Sequence, residues 1–115
     1  MKFKEAEDKL DMLKTTFSLL DYKIASNYYC CGTQGEWLDS LSIGKNKEAY
    51  EISFISNKNS DIEVVYIREF KRHRDHTGYD FGWKKVKSVE HPTEDQINEV
   101  FDFFIAEVGA DKNGV

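Results

Sequence analysis

The chain has 115 residues, the length of one domain. Its 40% apolar, 14% aromatic and 32% charged residues exclude collagen-like, low-complexity and disulfide-dense chains, and its aromatic content argues against disorder. The net charge of −5 counts against a protein that coats DNA, and no apolar run is long enough to span a membrane.

Phe3, Ala6, Leu10, Leu13, Phe17 and Leu20 recur at alternating steps of three and four, which predicts a helix with one apolar stripe. Core packing explains that stripe better than a coiled-coil seam, which would be only a few heptads long. Its end carries no glycine stop. Nothing in Met1-Lys2-Phe3-Lys4-Glu5 resembles a secretory signal, and the adjacent Cys30-Cys31 cannot close a stabilising loop. Reduced thiols and a cytoplasmic setting are therefore expected.

From Tyr22 to Val89 short β-type runs alternate with turn residues. Lys23–Cys31 is the first. Glu36–Ile43 reads equally as a strand or a short helix. Glu48–Ser56 and Asp61–Arg72 form a hairpin around Asn57-Lys58-Asn59-Ser60. A three-residue loop there sets Tyr50, Ile52 and Phe54 on one face with Val64, Tyr66 and Phe70, which keeps Glu63 and Glu69 off that face. Ile55, Val65 and Ile67 then fall on the other face, so a helix on each face, or a partner or second copy on one, is expected. His73 to Gly78 reads as a turn before a strand over Tyr79–Val89. Thr93 as N-cap with Gln96 three residues on then opens a helix whose stripe is Ile97, Phe101, Phe104 and Val108, ended by Gly109 with a frayed tail over 110–115. The expectation is one α+β domain: an antiparallel meander of four to five strands flanked by N-terminal and C-terminal helices.

Charge is laid out in blocks. Residues 68–87 carry seven bases against three acids, whereas residues 90–111 carry seven acids and no Lys or Arg. The acidic block suggests a non-catalytic module that binds, and plausibly inhibits, a basic protein such as a nucleic-acid-processing enzyme or a toxin, as small acidic immunity proteins do as a class. Candidate contacts are Glu94, Asp95, Glu99 and Asp102, with Trp37 as an aromatic anchor. The alternative is a nucleic-acid-binding module using Arg68, Lys71, Arg72, Arg74, Lys84 and Lys85, interleaved with Tyr79, Phe81 and Trp83 that could stack unpaired bases.

Catalytic and metal readings have less behind them. His73, Asp75 and His76 with Cys30 and Cys31 lack the spacing of a zinc site. Glu69-Phe70-Lys71 has the form of a nuclease Glu-x-Lys triplet, but Asp61 lies eight residues back on the same strand, about 26 Å away when extended. No glycine-rich phosphate loop or nucleophile turn occurs. No enzyme activity, cofactor or metal is expected.

Overall fold

The computed structural model describes residues 1–30, 35–45, 48–75 and 78–113, with the backbone alone at 29–30, 72–75, 78–81 and 110–113. Helix α1 (Phe3–Ser18) is followed by strands β1 (Lys23–Cys30), β2 (Trp37–Lys45), β3 (Glu48–Ser56), β4 (Ile62–Asp75) and β5 (Gly78–Glu90), then helix α2 (Glu94–Asn113). The strands form one antiparallel sheet in sequence order. The α+β meander flanked by terminal helices is thus the observed fold, and the segment that read as strand or helix is β2.

Helix boundaries follow local chemistry. At α2 the Thr93 backbone N–H donates to Gln96 Oε1 (2.8 Å) and the Gln96 N–H donates to Thr93 Oγ1 (3.2 Å), the reciprocal pair expected of a capping box. α1 ends without glycine: its last turn tightens as the Leu19 and Leu20 N–H groups donate to the Thr16 (3.4 Å) and Phe17 (3.0 Å) carbonyls. Asp21 then turns the chain in the left-handed conformation (φ 63°), which Asp adopts more readily than most non-glycine residues. Gly109 does not end α2, which runs on to Asn113; a glycine within a helix costs only about 1 kcal/mol. His73–Asp75 likewise belongs to β4 rather than to a turn, while His76 lies outside the described residues.

The hairpin register differs from the expected one, for a specific reason. The turn itself is the three-residue one: the Asn57 N–H donates to the Asp61 carbonyl (2.9 Å) and Ser56 pairs with Ile62. One residue later a β-bulge leaves Glu63 without a partner on β3, and Ile55 pairs with Val64. The extra residue reverses every side chain beyond it. Val65 and Ile67, not Tyr66 and Phe70, therefore share a face with Tyr50, Ile52 and Phe54. Glu63 avoids the core by being the bulged residue. Glu69, which falls in register with the core face, is held by Lys71 at 3.2 Å.

That face becomes one continuous apolar surface, and both helices pack on it. Phe3, Ala6, Leu10 and Phe17 of α1 and Ile97, Val100, Phe101, Phe104 and Val108 of α2 join Leu41, Ile43, Tyr50, Ile52, Phe54, Ile62, Val65 and Ile67 in a single core. Burying each of the large aliphatic and Phe side chains among them contributes roughly 1.5–3 kcal/mol. Tyr22 closes the far end, its hydroxyl donating to the Val108 carbonyl (3.4 Å). The expected helix on each face does not occur: among the described residues no element lies over the opposite side of the sheet.

Candidate functional site

Three places carry chemistry. The first is the outer side of the helical layer. Glu94, Asp95, Glu99 and Asp102 are all exposed on α2. Among the described residues none of the four enters an ion pair. Glu94 and Asp95 stand in the first turn, where the positive end of the helix dipole favours acids. Glu99 and Asp102 lie beyond it, and Asp95 and Glu99 repel each other at i,i+4.

Beside this acidic stripe runs a groove between the helices, about 400 Å³, lined by Lys9, Met12, Leu13, Asn98, Phe101, Asp102 and Ile105. Met12 is 71% exposed and Ile105 40%, high values for apolar side chains on the same groove. Asn98 Oδ1 is buried there without a hydrogen-bond partner, and the Lys9 ammonium lies over the Phe101 ring, 5.6 Å from its centre. Sequence periodicity placed Phe101 in the core, but Met12 lies off the α1 stripe. Only the packing of one helix against the other discloses the groove.

Trp37 is not part of it. Its ring stacks on Tyr28 (5.3 Å between centroids), which in turn meets Phe3 of α1. It is a partly exposed cap on the β1–β2 side of the sheet, whereas α2 packs chiefly on β3 and β4.

The second place is a cleft of about 400 Å³ under α1, lined by Glu7, Leu10, Asp11, Lys14, Ser26, Tyr28, Asp39, Ser40 and Leu41. Burial, assisted by the nearby Glu7 carboxylate, pushes the Asp39 carboxyl up from 3.8 to about 6. Asp39 stood in an ambiguous segment, and nothing in its neighbours announced its burial; α1 lying across β2 creates it. A carboxyl near neutrality can exchange protons at physiological pH. Among the described residues no three His, Cys, Asp or Glu side chains are placed to hold a metal. The side chains of Cys30, His73 and Asp75, and all of Cys31 and His76, lie outside the described residues.

The third place is the basic segment, which strand alternation divides between two faces. Lys71, Lys84 and Lys87 fall in register with the helix-side face: Lys71 pairs with Glu69, Lys84 stands opposite Glu69, and the Lys87 ammonium lies over the Phe103 ring. Arg68 and Lys85 stand opposite each other in register with the uncovered face. There the Arg68 Nε–H donates to Glu51 Oε1 (2.8 Å) and Nη2 lies 2.6 Å from the same oxygen as an ion pair, while Ser53 and Ser42 donate to the same carboxylate. The backbones of Arg72 and Arg74 pair with Phe81 and Tyr79; their side chains lie outside the described residues. In the Glu-x-Lys triplet Glu69 and Lys71 bind each other, and Asp61 is held by Lys2 at 2.7 Å near the β3–β4 turn.

No helix among the described residues is long and apolar enough to cross a membrane. No protein-family model matches the chain, and neither a curated protein nor a solved structure shows significant similarity to it.

Proposed function

We propose that the protein is a non-catalytic binding module that docks a basic protein partner on the outer side of its helical layer, and that it acts by blocking that partner. One observation carries the reading. The exposed acids Asp95, Glu99 and Asp102 have no ion-pair partner among the described residues, and Asp102 lines a groove exposing Met12 and Ile105, with Glu99 and Asp95 on the preceding turns of α2. An apolar groove edged on its α2 side by acids, with Lys9 of α1 drawn over the Phe101 ring, suits association with a basic surface, where the field steers encounter and the apolar centre slows release. A nucleic-acid-handling enzyme or nuclease toxin, whose cleft must be basic to hold phosphates, has such a surface.

The experiment is affinity capture from nuclease-treated lysate of the source cells. Wild-type protein is compared with a variant carrying Asp95→Lys, Glu99→Lys and Asp102→Lys. A basic protein retained by the wild type and lost with the variant supports the reading. Equal retention by both, or retention that depends on nucleic acid, overturns it.

A further inference from the structure

We infer that the sheet face turned away from the helices is a second binding site, on which Trp83 and Tyr66 stack the unpaired bases of a single-stranded nucleic acid while Lys85 holds its phosphates. This goes beyond the protein-binding surface, which lies on the other side of the sheet.

The site depends on a β-bulge. From Val64 to Ile67, β4 pairs with β5 in one register, ending at Ile67 opposite Lys87. The next pair is Arg68 opposite Lys85, which leaves Val86 as an extra residue. In a regular ladder Trp83 would stand opposite Lys71 and fall in with the helix-side face. The bulge moves it opposite Phe70 and brings Lys85 opposite Arg68, so both join Tyr66 and Phe70 on the uncovered face. A lone residue thus gathers aromatics and cations that simple alternation would divide.

What it gathers has the form of a stacking platform. The Arg68 guanidinium carbon lies 4.8 Å from the centre of the Trp83 ring, and the Lys85 ammonium 4.8 Å from the centre of the Tyr66 ring. Phe70 packs against Trp83 at 5.3 Å, holding the indole in place. Trp83 nevertheless remains 41% exposed, so the ring still offers apolar surface. Arg68, locked to Glu51 by a hydrogen bond and an ion pair, is a positioning residue that orients the indole. Lys85 is exposed and forms no ion pair among the described residues. Planar rings backed by cations suit bases joined by phosphates, since every base offers a π-face and every linkage a negative charge.

The overall charge of −5 does not oppose this, because it is unevenly placed. The acids of α2 stand on the helical side. On the uncovered face Glu51 is already neutralised by Arg68, and Glu90 sits at the end of β5, opposite Val64.

Fluorescence anisotropy with a fluorescein-labelled oligothymidylate single strand tests the inference, with a duplex of equal length and heparin as comparators. Wild-type protein is expected to bind the single strand more tightly than the duplex, with affinity falling as salt rises. Trp83→Leu and Lys85→Glu, both at exposed positions and checked for unchanged thermal melts, should each weaken binding by about tenfold or more. The acid-reversed α2 variant should still bind, which separates this site from the protein-binding reading. Absence of binding at low salt, affinities unchanged in both variants, or heparin and duplex competing as well as the single strand overturns it. So does a dimer in sedimentation that Trp83→Leu dissociates, because the face would then belong to a second copy.

Discussion

Arg68 on β4 and Glu51 on β3 stand directly opposite each other and are joined by a hydrogen bond and a close ion pair on the uncovered sheet face. The Glu51 side chain is only 7% exposed, while Arg68 reaches solvent at 35%. Removing one member of a pair leaves the other's desolvation uncompensated, and the burial is greater on the carboxylate side. Arg68→Ala is expected to destabilise the fold by about 2–3 kcal/mol, below the range for fully buried pairs because water reaches the guanidinium. Urea unfolding measures this. A loss under about 0.5 kcal/mol would mark the pair as an ordinary surface contact.

Asp39 gives a pH dependence whose sign can be worked out. Its carboxyl titrates near 6 in the folded protein against 3.8 as its ordinary value, so the native state holds the proton over a range where the unfolded chain has released it. The resulting stability is fully present below about pH 4 and lost as pH rises through 6. The difference amounts to something on the order of 2–3 kcal/mol. Asp39→Asn, which cannot ionise, should be more stable than wild type at pH 7.5 and should lose this part of the pH dependence. Parallel stability curves for the two proteins between pH 4 and 7 would show that Asp39 is not desolvated.

The acids of α2 should set stability against binding. Glu99 meets Asp95 at i,i+4 and Asp102 at i,i+3, and each like-charge pair costs about 0.2–0.5 kcal/mol. Glu99→Lys converts both repulsions to attractions and should raise the melting temperature of the free protein slightly while weakening partner capture. A variant that is both less stable and less able to bind would point to a structural role for Glu99 instead.

Two substitutions probe how α2 is held. Thr93→Ala removes the side-chain half of the capping box and should cost about 1 kcal/mol. Phe101→Ala, at a core residue 4% exposed that lines the groove between α1 and α2, should cost about 3–5 kcal/mol. Thermal melts distinguish these values readily, and a Phe101→Ala protein as stable as wild type would remove α2 from the core.

Much of this fold is legible in the sequence because its signals are local. The step pattern from Phe3 to Phe17, the alternation through Glu48–Ser56 and the Thr93–Gln96 pair each act within a few residues. The face on which Tyr66 and Phe70 lie is not local. It turns on Glu63 bulging out of the ladder so that Ile62, Val65 and Ile67 can all point inward, a balance struck between strands and helices far apart in sequence. Val86 does the same for Trp83 and Lys85. The acids of α2 were visible as a charge block. Met12 and Asn98 beside them, and Asp39 beneath α1, acquire their roles only through the packing of α1 against α2 and the sheet.

The central claim, that the helical layer carries the partner surface, is tested most directly by amide hydrogen exchange of the chain alone and with its captured partner. Slowed exchange concentrated in α2 around Asn98–Ile105 and in α1 around Lys9–Leu13 is the expected result. Slowing confined to β4 and β5, with both helices exchanging as in the free protein, would contradict it.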